Sequence, residues 1–144
     1  MFIDASAIVA ILGREPGHEE IEKKLAAAEG SFFVSPLVKF EAAVALARQK
    51  APGKASKPSP ELLRKAAIAV DAFAEDLGAE EVDVTPAIGR IALEASAIYG
   101  EAGGHAADLN FGDCFAYACA KALEVPLIYE GADFALTDLA ELSP

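Results

Sequence analysis

Four very short strand-like runs, separated from one another by helical segments, limit the folds open to this chain. They lie at residues 1–3, 32–34, 81–84 and 125–129. Residues typical of turns or helix caps flank them, as is usual for β-strands. Short strands that alternate with helices indicate an α/β fold with a parallel sheet. Because the strands are so short, we expect helices to contain most of the ordered residues.

A serine or threonine followed by proline predicts three helix starts. Ser35-Pro36, Ser59-Pro60 and Thr85-Pro86 each combine a favoured N-cap residue with a proline suited to the first helical turn. The predicted helices span residues 5–12, 19–28, 36–50, 60–78, 86–99 and 111–123. Residues 51–60 are rich in proline, serine and lysine, so we expect a flexible basic loop between two helices there.

The length of 144 residues supports a single domain spanning residues 1–144. The chain has 23 Asp and Glu against 12 Lys and Arg, for a formal charge of −11. This balance excludes a basic coat over the whole surface but not a local basic patch. Six basic residues do cluster between positions 48 and 65: Arg48, Lys50, Lys54, Lys57, Arg64 and Lys65. They could hold a phosphate backbone, although a solvated linker explains them equally well.

We expect neither a membrane span nor a secretory signal. No stretch reaches the roughly 18 uncharged apolar residues that a spanning helix needs, and Asp4 follows Phe2-Ile3 directly. Cys114 and Cys119 lie five positions apart in a helical pattern, which points their side chains in different directions. Two separate thiols without metal-ligand spacing are typical of a protein in a reducing cytoplasm.

Four acidic residues differ from the solvated acids on polar helix faces: Asp4, Glu41, Asp113 and Asp133. Asp4 and Asp133 each follow a predicted strand, and ligands bind beyond the carboxyl ends of strands in open parallel sheets. Helix capping explains Asp4 equally well, and Asp133 could be an ordinary turn residue. Ser6 could orient Asp4 or simply belong to the first helical turn.

Glu41 is the most informative of these acids. On a helical wheel with Leu37 at zero, Phe40, Glu41 and Val44 fall at about −60°, +40° and −20°, so Glu41 lies within an apolar arc. A lone buried carboxylate is costly unless it is paired or binds a cation. A satisfied structural glutamate, or one at the edge of the face, is the alternative, and we favour a functional role.

Asp113 falls at the third helical position if Asn110 is the N-cap, where an acid stabilises the helix without any other role. Taken together, however, the four acids could converge at one sheet edge. Like charges at contact distance repel, so such a cluster persists only when a cation or a proton neutralises it. Oxygen ligands without a Cys or His pair suit Mg²⁺ or Mn²⁺, which can activate water for phosphodiester hydrolysis.

Four segments, in order along nearly the whole chain, resemble the motifs of VapC-type PIN-domain proteins. They are residues 1–7 (MFIDASA), 40–42 (FEA), 109–118 (LNFGDCFAYA), and 131–134 (GADF) with Thr137-Asp138. The ten-residue segment around Asp113 carries the most specific likeness. The resemblance implies a PIN-like α/β/α sandwich, in which a short-stranded parallel sheet has helices on both faces.

The same resemblance implies a metal-dependent endoribonuclease, the toxin of a type II toxin–antitoxin pair, which hydrolyses RNA by metal-activated water with Mg²⁺ or Mn²⁺. Asp4, Glu41, Asp113 and Asp133 would be its catalytic acids. Asp4 and Asp113 would be the firmest metal ligands, and Glu41 would bind or orient the metal-bound water. Asp133 would be the more variable fourth acid.

Supporting residues and partners follow from the resemblance as well. Ser6 and Asp138 would support the site, and Asp138 has the alternative of a helix cap after Thr137. The basic cluster described above, rather than the resemblance, supplies the candidates for RNA contact, which are Arg48, Lys50, Lys54 and Lys57. Besides an RNA substrate, the family implies a cognate antitoxin that covers the site and a homodimer.

Two positions depart from the family pattern, and both departures remove positive charge near the expected RNA path. No arginine occurs near Gly103-Gly104-His105, and Glu130 stands where many members carry a basic residue. These departures slightly favour the alternative of a non-catalytic PIN-like module that binds a partner protein, whereas the complete acid set favours the enzyme. A metal-dependent DNA nuclease would use the same chemistry. The sequence does not distinguish an RNA substrate from a DNA substrate, because no residue that would recognise the 2′-hydroxyl is identifiable.

Overall fold

The computed structural model describes residues 1–53 and 57–139. Lys54, one of the RNA-contact candidates, lies outside the described residues. The helices are α1 (Ala5–Gly13), α2 (His18–Ala27), α3 (Pro36–Lys50), α4 (Pro60–Asp76), α5 (Pro86–Tyr99) and α6 (Phe111–Leu123). The strands are β1 (Phe2–Ile3), β2 (Phe33–Val34), β3 (Glu80–Glu81) and β4 (Leu127–Ile128).

The four strands form one sheet in the order β3-β2-β1-β4, and every pairing is parallel. Phe2 of the central strand lies opposite Phe33 on one side and Leu127 on the other. Both residues of β1 are fully buried, because helices cover the sheet. The predicted α/β/α sandwich with a short-stranded parallel sheet is thus confirmed.

The three predicted caps form as expected. The hydroxyl groups of Ser35, Ser59 and Thr85 each accept a hydrogen bond from the backbone N–H three residues further on. A proline in the first turn follows each cap, where its missing N–H costs no helical hydrogen bond. Local chemistry therefore fixes where α3, α4 and α5 begin.

Two predicted elements occur in a different form. The third strand covers Glu80–Glu81 rather than residues 81–84, since its partner β2 offers only two residues for pairing. The predicted turn at residues 131–133 leads into a 3-10 helix, Asp133–Leu136. Phe134 packs this 3-10 helix against the core, because its buried ring contacts Tyr129 with the ring centroids 5.0 Å apart.

Both cysteine side chains of α6 belong to the hydrophobic core. Cys114 and Cys119 are both free, as predicted, and both are buried. Burial raises the pKa of both thiols, in Cys119 to about 11, so neither is a reactive thiolate at neutral pH. In the described part of the chain, no helix is long and apolar enough to cross a membrane.

Candidate active site

One cleft, beyond the carboxyl ends of β1 and β4, collects side chains from distant parts of the sequence. Its volume is about 580 Å³. The polar and charged residues that line it are Asp4, Ser6, Glu15, Glu41, Arg48, Asn110, Asp113 and Glu130. Three of the four predicted acids therefore meet here, one following β1, one on α3 and one on α6.

Asp4 both caps α1 and lines the cleft, so the two interpretations of this residue are compatible. Its Oδ2 accepts hydrogen bonds from the Ser6 backbone N–H at 2.9 Å and from Ser6 Oγ at 2.5 Å. Only 3% of Asp4 is exposed, and this burial raises its pKa despite the bonds from Ser6, with a smaller contribution from the charge of Asp133. Ser6 Oγ in turn accepts the Glu130 N–H at 3.0 Å, which ties α1 to the end of β4.

Glu41 is half-buried at the edge of a helix face rather than inside the core. The apolar arc predicted around it lines the cleft, because Phe40 is 66% exposed and both Phe40 and Val44 belong to the cleft wall. The core-facing residues of α3 are instead Val38, Ala42, Ala43, Leu46 and Ala47. The expectation of a buried apolar arc was therefore wrong, since a helical wheel cannot distinguish a cleft wall from a core face.

The environment of Glu41 nevertheless disfavours its charge. Burial raises the pKa of Glu41 to about 7, with further contributions from the charges of Asp4 and Asp113. The Glu41 carboxylate lies directly against Gly112 in the first turn of α6. This approach brings a side chain of α3 to the helix turn that carries Asp113.

Asp113 occupies the third helical position, as predicted. Asn110 Oδ1 accepts the N–H groups of Gly112 and Asp113 at 2.8 and 3.1 Å, and Asp113 Oδ2 accepts the Asn110 N–H at 2.9 Å. Burial raises the pKa of Asp113 to about 6 against the opposing hydrogen bond from Asn110, and the charges of Asp4, Asp133 and Glu101 add to the increase. The capping box thus fixes an acid whose charge is disfavoured at the cleft.

Asp133 and Asp138 lie outside the set of residues that line the cleft. Asp133 is exposed at the start of the 3-10 helix, yet its charge contributes to the raised pKa of both Asp4 and Asp113. Asp138 accepts hydrogen bonds from Tyr117 Oη at 2.7 Å and from Lys121 Nζ at 2.9 Å. Asp138 therefore fastens the closing segment to α6 and does not reach the other acids.

The RNA-contact candidates separate in the structure. Arg48 lines the cleft, whereas Lys50 lines a separate pocket of about 210 Å³ between α3 and α4. Lys57 is exposed on the chain leading into α4. Among the described candidates, Arg48 alone is a cleft residue.

Sequence reasoning did not assign Glu15, Asn110 and Glu130 to the site, although all three line the cleft. Glu130 follows β4 as Asp4 follows β1, so the strand-end rule could have identified it. Glu15 follows the end of α1 and accepts a 2.5 Å hydrogen bond from Gln49 Nε2. No pattern in the sequence indicates that contact between α1 and α3.

The side chains of the cleft that could bind a metal ion offer only oxygen atoms as ligands. Within residues 1–53 and 57–139, no three His, Cys, Asp or Glu side chains are placed to hold one metal ion together. Burial raises the pKa of Glu41 and of Asp113, and neighbouring carboxylates add to the increase. A cation, or protons, would offset this cost of holding negative charge in the cleft.

The sequence matches the PIN domain family over residues 1–139. It is 50% identical over 141 residues to VapC ribonuclease R02377 of Rhizobium meliloti strain 1021, covering 96% of this chain and 98% of that protein. It is also 32% identical over 139 residues to Ribonuclease VapC42 of Mycobacterium tuberculosis, covering 96% of each chain.

A solved structure shares the fold as well. The crystal structure of Mycobacterium tuberculosis VapC20, a toxin that cleaves the sarcin-ricin loop, matches with a TM-score of 0.73 over 99% of this chain and 98% of that chain. The two sequences are 19% identical, so this likeness concerns the fold alone. The family match and the two relatives show that the chain belongs to the PIN-domain family, and the relatives similar to it are named VapC ribonucleases.

Proposed function

We propose that this chain is a metal-dependent endoribonuclease that hydrolyses RNA phosphodiester bonds, and that it acts as the toxin of a type II toxin–antitoxin pair. The observation that carries the proposal is the meeting of Asp4, Glu41 and Asp113 in one cleft, where burial and mutual repulsion raise their pKa values. The names of the relatives, ribonucleases at 50% and 32% identity, support RNA as the substrate.

The donor set suits Mg²⁺ or Mn²⁺, and Asp4 and Asp113 would hold the ion. Carboxylate oxygens are the ligands that these hard cations prefer. Two carboxylates completed by water and substrate phosphate are a common arrangement for Mg²⁺, which fits a cleft without a three-residue ligand group among the described residues. When bound, such an ion would activate water and stabilise the leaving oxygen.

The other cleft residues have distinct proposed roles. Glu41 lines the cleft with Asp4 and Asp113, where its carboxylate can orient the attacking water. Ser6 holds Asp4 in one orientation through the two hydrogen bonds that it donates. Arg48 supplies a guanidinium for a phosphate of the RNA. Asp133 adds negative charge that helps to retain the cation.

We further propose that the protein forms a homodimer and that a cognate antitoxin covers the cleft. We place both in the reducing cytoplasm. Phe40, Val84 and Phe111 are 66%, 38% and 68% exposed and line a shallow groove beside the cleft. Exposed apolar groups of this kind are typical of protein interfaces. Light scattering on the purified protein tests the dimer, which a mass of 14.9 kDa would contradict.

The central experiment maps new RNA 5′ ends after brief induction of the wild type and of Asp113→Asn in a bacterial host. We expect discrete new ends with the wild type alone. If the two folded proteins do not differ and neither gives new ends, the chain is better explained as a non-catalytic module that binds a partner. Purified protein with matched single-stranded RNA and DNA then separates a ribonuclease from a deoxyribonuclease.

A further inference from the structure

Three residues of α6 lie along one side of the helix and connect the cleft to the closing segment. Asp113, Tyr117 and Lys121 are spaced by four residues, which places them on adjacent turns of one face. Asp113 lines the cleft, while Tyr117 and Lys121 both bind Asp138. One face of α6 therefore carries the candidate catalytic acid Asp113. Further along, the same face holds the closing segment, which carries a second candidate acid, Asp133.

The attachment uses both oxygens of Asp138. Tyr117 Oη donates to Oδ1 at 2.7 Å, and Lys121 Nζ donates to Oδ2 at 2.9 Å. Burial alone would raise the pKa of Asp138, but the hydrogen bonds from Lys121 and Tyr117 outweigh it and lower that pKa. Asp138 is thus an ionised carboxylate at neutral pH, and each of its oxygens accepts a hydrogen bond from a side chain of α6.

The segment between Asp133 and Asp138 is anchored at both ends. Near its start, the buried Phe134 packs on Tyr129. Near its end, Thr137 Oγ1 donates to the Phe134 carbonyl at 2.8 Å, and Asp138 binds α6. Among the described residues, none donates a hydrogen bond to the exposed carboxylate of Asp133. The position of Asp133 therefore depends on how its segment is held.

We propose that Asp138 is a positioning residue: by fastening the closing segment to α6, it holds Asp133 in place three residues beyond the cleft residue Glu130. This inference rests on the proposed nuclease site, where the Asp133 charge acts on Asp4 and Asp113. Asp138 itself touches neither the cleft nor the reacting groups. A purely structural role would make Asp138 contribute to stability without any specific dependence on Asp133.

A double-mutant cycle separates these two roles. We would measure kcat and KM for RNA cleavage, and Mn²⁺ affinity by electron paramagnetic resonance, for Asp138→Ala in the wild-type and Asp133→Asn backgrounds. Loss of a residue that orients a metal-site acid commonly costs 10–100-fold in activity or metal affinity. We expect about a tenfold loss of kcat and of Mn²⁺ affinity in the wild type, and no further loss in the Asp133→Asn background.

Two further variants complete the design. Tyr117→Phe removes only the hydroxyl that binds Asp138, and it replaces Asp138→Ala if that variant is unfolded at the assay temperature. Glu61→Ala is the matched control, since it breaks a solvent-exposed carboxylate–lysine pair of the same 2.9 Å length, with Lys65 on α4. We expect this control to leave cleavage and Mn²⁺ affinity unchanged.

Equal losses in the two backgrounds, or no loss in the wild type, would overturn the positioning role. Failure of the proposed function is recognisable separately, because the wild type would then cut no RNA. In that event Mn²⁺ affinity still decides the inference: weaker binding in Asp138→Ala that disappears in the Asp133→Asn background supports it, and unchanged binding overturns it.

Discussion

A Cβ added to Gly112 would lie 2.0 Å from Oε1 and 2.1 Å from Oε2 of Glu41, so the carboxylate occupies the space that a side chain at position 112 would need. Gly112 is buried in the first turn of α6, next to Asp113. The absence of a side chain there is what allows a carboxylate from α3 to approach α6. This glycine therefore serves the site through close packing.

Gly112→Ala should disable the site while preserving the fold. The atoms that clash belong to the flexible end of Glu41, which can swing away, and alanine is the better helix former by about 1 kcal/mol. We expect at least a tenfold loss of RNA cleavage with little change in the free energy of unfolding. Cleavage assays together with urea unfolding would measure both quantities.

Gly89→Ala is the matched control for this substitution. Gly89 also lies in a helix, α5, but an added Cβ there meets no atom within 4 Å. We expect a gain in stability of about 0.5–1 kcal/mol and wild-type cleavage. Wild-type cleavage by Gly112→Ala as well would show that the position of Glu41 does not matter.

Local sequence chemistry predicted much of the fold. The serine and threonine caps, each followed by proline, located three helix starts, and Asn110 correctly indicated the third-position acid Asp113. Strand lengths were less predictable, because the length of β3 depends on how many residues its partner β2 offers. Such pairing is a property of two distant segments, which propensity within either segment does not contain.

Three of the four acids that the sequence singles out meet in one cleft, but their arrangement was not predictable. Asp4, Glu41 and Asp113 do line one cleft, yet the wheel assigned the wall around Glu41 to the core. Position relative to a strand end identifies Asp4, while the contact of Glu15 with Gln49 joins two helices that no local pattern relates. The sequence therefore predicts which acids meet at the cleft better than it predicts how they are held there.

Protonation of Glu41 and Asp113 in the cleft should make the free energy of unfolding of the metal-free protein depend on pH. The pKa is about 7 for Glu41 and about 6 for Asp113, both above the values of about 4 in an unfolded chain. Because the folded state binds the extra protons, this stabilisation is present at low pH and is lost as the pH rises through about 6 to 7. We expect the unfolding temperature in EDTA to fall between pH 5 and pH 8.

Glu41→Gln should flatten that pH dependence and raise the unfolding temperature at pH 8 by about 3 °C, the change that ~1 kcal/mol produces in a domain of this size. Calorimetry in EDTA at several pH values measures the effect. Glu75→Gln removes an exposed carboxylate of α4 and controls for the change in net charge. If the unfolding temperatures of the two variants depend on pH in the same way, the pKa of Glu41 is not raised in the folded protein.

Asp4→Asn and Asp113→Asn should each reduce RNA cleavage by at least about 100-fold, because each removes the charge of a proposed metal ligand with little change in side-chain volume. The fold should survive, since an asparagine oxygen can still accept the Ser6 N–H or the Asn110 N–H that the aspartate accepts now. Cleavage of a labelled RNA and circular dichroism spectra test these expectations. Asp76→Asn, at the exposed end of α4, is the control, and full activity in either cleft variant would refute the assigned site.

The separation of Arg48 from Lys50 predicts different effects on RNA binding. Arg48 lines the cleft, whereas Lys50, two residues further along α3, faces the pocket toward α4. Arg48→Met should raise KM about tenfold and leave the unfolding temperature unchanged. If the guanidinium neutralises one phosphate, the slope of log affinity against log salt should also fall in magnitude by about 0.7.

Lys50→Met removes the same charge from the same helix and is therefore the matched control for Arg48→Met. Measured on a catalytically inactive Asp113→Asn background, RNA affinity at 50 to 200 mM salt reports binding without cleavage. We expect Lys50→Met to retain the affinity and salt slope of its parent, because its side chain lies outside the cleft. Equal losses from the two substitutions would mean that a diffuse basic surface binds the RNA, rather than a guanidinium placed at the acidic cleft.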